Sequence, residues 1–522
     1  MRLPDCRKRR GMDGEVGEKE LALPLKNPFV HELRFTLFQK LKLFVMTLTL
    51  FPVRLFFAAF MMLLAWPFAF IATLGRSESS VEHQCFWRRV VDVVLRCIMR
   101  AMWFAGGFHW IRVKGRRALP AEAPILTLAP HSSYFDAMPV TTMTMASIVM
   151  KAESKDIPLW GTLIKYIRPV FVSRSDQDSR RKTVEEIKRR AHSEGVWPQI
   201  MIFPEGTCTN RSCLITFKPG AFIPAVPVQP VVIRYPNQQL DTITWTWQGP
   251  GAFKILWLTL CQLHNEFEIE FLPVYTPTKE ETRNPQLFAQ NVRRIMATAL
   301  QVPVTDYSFE DCQLAMAEGQ LRLPVDTSLL EFARLVRRMG LKREDSEIED
   351  YSRRARELQG IKQNAEQFAR FLEQPLSDVL RDMFALFDEP DEGLMDVREF
   401  VIAFSVVCRP TKTLETIKLA FTMFEAEQNG GVTEEELECI LHTALGVTEL
   451  RVSRLFRAVD VANSGKVTFE MFQSFAEQQP DFAEEFLYAE NTGFFSNFLS
   501  SGVASNGFCA DFSPTERQKK AN

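Results

Sequence analysis

The feature that most limits what this chain can fold into is an uncharged apolar run, Leu55–Leu74 (LFFAAFMMLLAWPFAFIATL). As a helix, a run of this length rises about 30 Å, the thickness of a bilayer's hydrocarbon core. A cleaved signal peptide fits poorly, because the apolar region begins too deep in the chain and runs too long. Residues 1–40 are polar and basic, with Arg7-Lys8-Arg9-Arg10, and the chain turns apolar from Leu41. Pro52 and Arg54 split the run from a shorter apolar stretch, Leu43–Val53, and Pro67 lies inside it. That pattern allows either one crossing or a re-entrant hairpin over residues 41–75. Basic residues flank the segment on both sides, so the positive-inside rule does not choose between them. In the following linker, residues 76–120, Phe86–Phe104 sets Arg88, Arg89, Arg96 and Arg100 among apolar residues at helical spacing. A basic amphipathic helix of this kind suits a membrane interface, and an ordinary protein surface nearly as well.

The remainder of the chain is neither polytopic nor disordered, with 46% hydrophobic and 24% charged residues. At 522 residues it is too long for a single core. A net charge of -2 carries no nucleic-acid signal. The 10 cysteines form no CxxC pair, which argues against a zinc site and for a reducing compartment. Phenylalanine is heavy, 43 against 7 tyrosines, and suits either lipid-facing surface or an ordinary core.

Residues 121–300 alternate strand-like and helix-like segments, which predicts a layered α/β domain. Strands are expected at Ile125–Ala129, Ile148–Lys151, Val170–Val172, Gln199–Phe203, Val228–Ile233 and Glu268–Phe271, and a helix at Ser179–Ala191. A charged helical linker, 301–375, leads to a repeat over 376–490 with a period of about 36 residues, as paired helix–loop–helix units have. The tail, 491–522, is Ser/Gly/Asn-rich and reads as disordered.

The first strand runs into Pro130-His131-Ser132-Ser133-Tyr134-Phe135-Asp136. Ser133 is a helix N-cap by position, with Asp136 three residues on. Asp136 therefore has two readings. It completes a capping box, or it accepts one ring N–H of His131 and leaves the other nitrogen as a general base. Phe203-Pro204-Glu205-Gly206-Thr207 ends a later strand, with Gly206 allowing close backbone approach and Glu205 and Thr207 able to bond polar head-group atoms. Arg174 follows Val170–Val172, and its fork suits a phosphate. The prolines of Val226–Pro230 argue against a regular central strand there.

These blocks in this order (His131–Asp136, Phe171–Arg174, Phe203–Thr207, Val226–Pro230) resemble the glycerolipid acyltransferase family. With the N-terminal apolar segment and the C-terminal repeat, the chain is similar to lysophosphatidylcholine acyltransferases. The resemblance implies acyl-CoA as donor, a lysophospholipid acceptor and membrane lipids as surroundings. Lysophosphatidylcholine would become phosphatidylcholine, with acetylation of lyso-platelet-activating factor as a second reaction. His131 and Asp136 would be catalytic, with His131 deprotonating the acceptor hydroxyl. Arg174, Glu205, Gly206 and Thr207 would bind substrate. No cofactor is implied for catalysis and no acyl-enzyme, so Cys208 is expected to be structural. A lysophosphatidate or glycerol 3-phosphate acceptor remains open, as does a membrane-bound calcium sensor with an inactive acyltransferase domain.

Three windows of the repeat resemble EF-hand calcium loops, starting at 388, 425 and 460. The first, Asp388–Glu399, keeps Asp388, Gly393 and Glu399 at positions one, six and twelve. Its candidate ligands are Asp388, Glu392, the Leu394 carbonyl and Glu399, with Asp396 acting through water and Pro390 supplying nothing. Glu425 replaces the first aspartate of the second loop, and Ala462 and Met471 spoil the third. Calcium is thus expected at the first loop at most, and no protein partner is legible. The fold class expected is an α/β acyltransferase domain behind an N-terminal membrane segment, followed by an all-α EF-hand-like domain.

The resemblance implies the endoplasmic reticulum membrane, with the Golgi and lipid droplets as further sites. The ending Lys519-Lys520-Ala521-Asn522 resembles a cytosolic dilysine signal. A glycan on the sequon Asn210-Arg211-Ser212 would crowd Thr207, so a cytosolic catalytic domain is expected.

Overall fold

The computed structural model describes residues 27–74, 86–139, 141, 146–151, 154, 157, 160–172, 177–236, 240–315, 327–358, 360–388, 392–410, 412–425, 431–447, 450–479, 482 and 486–487. Arg174, Pro390, Gly430, Arg7–Arg10 and the residues from 488 onward lie outside them. The chain divides into two compact units, residues 26–309 and 310–500.

The first unit opens with α1, Leu37–Thr73, one unbroken helix of 37 residues that carries Pro52 and Pro67 inside it. A hairpin turning back at Pro52 is therefore absent. Thr36 and Gln39 form the capping box that starts it. At about 1.5 Å per residue it is longer than a hydrocarbon core requires. Ala65, Ala69 and Ala72 let it pack closely on α2, Phe86–Ala105, and on α3, Trp160–Tyr166. Its other faces stay bare, with Phe56 66% and Leu63 55% exposed. A soluble protein does not leave so long an apolar face uncovered. Arg54, the charge that interrupts the apolar pattern, is buried. Its guanidinium donates to the carbonyl of Leu260 (3.1 Å), the last residue of a helix, and to those of Gln262 and Leu263 (2.9 Å) in the turn that follows it. Those three acceptors offset the cost of burying the charge.

Seven strands form one sheet in the order β1-β7-β6-β2-β5-β3-β4. They are β1 Ile111–Lys114, β2 Ile125–Ala129, β3 Ser147–Lys151, β4 Val170–Val172, β5 Ile200–Ile202, β6 Val228–Arg234 and β7 Phe267–Phe271. All pairs are parallel except β6 with β7. Alternate side chains of the central strands enter two cores, as the pleat requires. Ile125, Ile200, Val228 and Val232 meet Ile187 of α4 (Gln177–Ala191). Ile255 of α5 (Ala252–Leu260) packs with Leu126, Met201 and Val231 on the other face. After α6 (Lys279–Arg283), α7 (Pro285–Leu300) closes the first core with Phe288, Val292 and Met296, one residue per turn. Each such fully buried side chain contributes about 1.5–3 kcal/mol.

The structure corrects the expectation at Pro230, which lies inside β6 in the middle of the sheet. Its carbonyl accepts the Leu272 N–H (3.0 Å), one residue past the end of β7. The Leu272 carbonyl, which an N–H at 230 would have served, accepts the Gln229 side-chain amide instead (3.0 Å), so the proline leaves no acceptor unpaired there.

The second unit is helical: α8 Phe309–Ala315, α9 Leu329–Met339, α10 Asp345–Glu357, α11 Ala365–Phe371, α12 Asp378–Ala385, α13 Val397–Cys408, α14 Thr413–Phe424, α15 Glu434–Leu445, α16 Val452–Val459 and α17 Phe469–Gln478. The loops before α13, α15 and α17 are the three windows read from sequence. A fourth loop, between α10 and α11, has no acidic pattern and was not legible. It pairs with the first window through the bridge Gln363↔Met395, as the second and third pair through Val432↔Val467. Phenylalanines fill this core: Phe400 is fully buried among Phe332, Phe368 and Phe404. The heavy phenylalanine content thus serves both readings, bare on α1 and enclosed here.

Candidate active site

Strands β5, β2 and β6 are parallel neighbours, so the residues that follow them emerge on one edge of the sheet. In open parallel sheets that carboxyl edge is where ligands bind. The three exits are Pro130-His131, Phe203-Pro204-Glu205 and Tyr235.

Past β2, Ser133 caps a 3-10 turn over Tyr134–Ala137, and Asp136 closes the capping box by accepting the Ser133 N–H at 2.9 Å. The same Asp136 oxygen accepts the Ser132 N–H (2.6 Å) and the His131 ring at Nδ1 (2.9 Å). The two sequence readings of Asp136 are therefore both true of one atom. The cap holds the carboxylate where the histidine needs it. Asp136 has no exposed surface, while the His131 side chain is 24% exposed, its ring stacked on Phe203 at 4.3 Å. With Nδ1–H donated inward, Nε2 is the nitrogen left for a substrate proton.

Glu205 does not face a head group. It is fully buried, and its Oε2 accepts the backbone N–H of His131 at 2.8 Å. The Thr209 N–H holds the His131 carbonyl at 2.7 Å, and the Trp245 N–H holds that of Ser132 at 2.8 Å. The Glu205 loop thus fixes the histidine backbone from behind. Gly206 sits at φ +71°, a conformation an L side chain adopts only with strain. Thr207 and Cys208 are buried beside it. Among the described residues, the sequence-predicted His131, Asp136 and Glu205 come together, with Gly206 and Thr207 on the adjoining turn.

Burial pushes the Glu205 carboxyl up to about 8, the Asp136 charge adds to this, and the His131 N–H opposes it. A carboxyl raised on folding keeps a proton that the unfolded chain releases. Stability is therefore full below its ordinary value near 4.5 and falls as pH rises toward 8. Glu205→Gln, which cannot ionise, should remove this slope. The variant's Tm should gain on the wild type steadily between about pH 5 and 8, a trend that thermal melts across that range check.

Sequence reasoning missed Tyr235, whose phenol donates to the second Asp136 oxygen at 2.6 Å. Its signal was its place, the first residue after the strand beside β2. It also missed that Asn210 is occupied internally. The Asn210 amide donates to the carbonyls of Asn27 (2.8 Å) and Val30 (2.9 Å), tying the segment ahead of α1 to the loop behind His131.

In the first EF-hand loop, Asp388 accepts the Gly393 N–H (2.9 Å), Glu392 faces Lys362 (3.5 Å), and Leu394 is exposed. Glu399 is pushed up to about 7 by burial and by Asp396. Asp396 is paired with Arg398 at 2.7 Å rather than turned to the loop. The donors are all oxygens, as calcium prefers. Among the described residues, however, no three such side chains converge.

The family model described as Acyltransferase matches residues 110–234, and that described as EF-hand domain pair matches 428–479, the second and third loops. Lysophosphatidylcholine acyltransferase 1 of Homo sapiens is 66% identical over 521 residues, covering 98% of this chain and 97% of that protein. Lysophosphatidylcholine acyltransferase 2 of Mus musculus is 46% identical over 466 residues, 89% of this chain and 85% of that protein. Lysophosphatidylcholine acyltransferase 1 of Danio rerio is 66% identical over 522 residues, 100% of each chain. With the likeness running through both units and the His131–Asp136 pair assembled in the matched domain, this chain belongs to the lysophosphatidylcholine acyltransferases.

Proposed function

We propose that the chain moves an acyl group from acyl-CoA to the free hydroxyl of a lysophospholipid, with lysophosphatidylcholine as the preferred acceptor. The single observation behind this is the 2.9 Å bond between buried Asp136 and His131 Nδ1, at the edge where three parallel strands end. His131 Nε2 takes the acceptor's hydroxyl proton as that oxygen attacks the thioester carbonyl. Asp136 stabilises the resulting imidazolium. When the carbon–sulfur bond breaks, the departing CoA sulfur receives the proton from His131, which restores the base. The thioester is already activated, so a base is sufficient. Arg174 is assigned to a phosphate of one substrate, and Gly206 and Thr207 to the head-group side. Acetyl transfer to lyso-platelet-activating factor is a second reaction of the same site. The names of the relatives support the choline acceptor. Purified protein incubated with labelled oleoyl-CoA and a panel of acceptors tests the proposal. Turnover should favour lysophosphatidylcholine; equal turnover of glycerol 3-phosphate would contradict the head-group assignment.

The bare face of α1 and the relatives support membrane attachment, and the endoplasmic reticulum, Golgi and lipid droplets are the proposed sites, with the catalytic unit cytosolic. The internally bonded Asn210 amide favours that side, since it leaves no room for a glycan. The first EF-hand loop binds at most one calcium ion, and acyl transfer does not need it. Calorimetric titration of the whole protein should give no more than one tight site, and chelator should leave basal activity intact. Loss of activity in chelator would overturn the second statement.

A further inference from the structure

We propose that Tyr235 is a positioning residue for the His131–Asp136 pair: its phenol fixes the second oxygen of Asp136 and so sets the basicity that His131 presents. This rests on the general-base reading above. Three of the four donors on Asp136 fall on one oxygen: His131 Nδ1 and the N–H groups of Ser132 and Ser133. All three belong to the turn that carries Asp136 itself. Among the described residues, Tyr235 is the one that reaches the other oxygen, at 2.6 Å, and it comes from a different strand exit. The carboxylate is therefore held from both ends, and rotation about its last bond would break both sets.

The ring is itself held. Tyr235 is buried, with Phe267 at 5.0 Å and the Arg211 guanidinium over its face at 5.1 Å. Arg211 is paired with Asp241, whose carboxylate accepts the hydroxyl of Thr244 (2.6 Å) and two backbone N–H groups. Burial first, and the Asp136 charge second, push the phenol well above its ordinary value, so it serves as a donor throughout the working range. The other ionisable groups facing the pair are Glu205 behind His131 and the Arg211–Asp241 ion pair beside the ring. A hydrogen bond to a charged acceptor is among the stronger kinds. Here it draws negative charge toward the oxygen away from the histidine. Removing it leaves more charge on the oxygen that His131 uses, which favours the imidazolium and raises the pH at which the base becomes available.

Tyr235→Phe keeps the ring and deletes the donor. It should lower kcat about tenfold, with KM for both substrates within about twofold. The acid limb of the kcat/KM profile should move up by about half a pH unit. Fluorotyrosine at position 235, a stronger donor of nearly the same shape, should move that limb the opposite way. In an Asp136→Asn background, Tyr235→Phe should add little, because the two act through one bond. An unchanged pH profile in both variants would overturn the proposal and leave Tyr235 a packing residue. A raised KM at unchanged kcat would overturn it by placing the phenol on substrate. Failure of the general-base reading is distinguished separately: wild-type kcat/KM would then show no acid limb that depends on His131.

Discussion

His131→Ala is expected to lower kcat by at least ~10²-fold, the usual contribution of a positioned general base, while KM for acyl-CoA changes little. The side chain is partly open to solvent and, among the described residues, stacks on Phe203, so its loss leaves no large cavity. Its backbone carries the structural bonds, to Glu205 and to Thr209, and alanine keeps both. Folding and membrane insertion should therefore survive, and circular dichroism with vesicle flotation checks this alongside the rate. A variant that is inactive and misfolded would say nothing of chemistry, which makes the paired measurement necessary.

Asp136→Asn should be impaired comparably, by ~10²–10⁴-fold in kcat, the range known where a buried aspartate orients a catalytic histidine. Among the described residues, four donors meet on this one carboxylate. An amide offers one oxygen and turns an N–H toward the others. If that oxygen keeps the two backbone bonds, the NH₂ faces the Tyr235 phenol. If it keeps the phenol, the NH₂ faces His131 and selects the wrong tautomer. Either arrangement leaves a buried polar group unpaired, at about 1–3 kcal/mol, so Tm should fall too. A fully active Asp136→Asn enzyme would show that the contact only caps the 3-10 turn.

The His131–Asp136 pair was legible because its geometry is local. Strand, proline, histidine, N-cap serine and aspartate occupy twelve consecutive positions, Ile125–Asp136, and the cap fixes their geometry. What the sequence concealed depends on long-range contact. Glu205 reads as a head-group ligand until β5 is seen beside β2, which turns its carboxyl onto the His131 N–H. Tyr235 carries no signal until β6 is placed on the other side. Arg54 reads as a break in the membrane segment, because nothing nearby announces the three carbonyls, at the end of α5 and in the turn after it, that receive it. Pro230 reads as a strand breaker because its tolerance depends on the neighbouring Gln229 amide reaching the Leu272 carbonyl across the sheet. The fourth helix–loop–helix of the second unit lacks acidic residues and emerges only through its bridge to Met395.

The most direct test of acyl transfer by His131 without a covalent enzyme intermediate is a rapid-quench time course on the purified protein. CoA release and phosphatidylcholine formation are followed together, from labelled acyl-CoA and lysophosphatidylcholine. The two products should rise in equal amounts from the first turnover in the wild type, fall together in His131→Ala, and persist in Cys208→Ala. A burst of CoA matching the enzyme concentration, with label retained on the protein and abolished by Cys208→Ala, would contradict direct transfer.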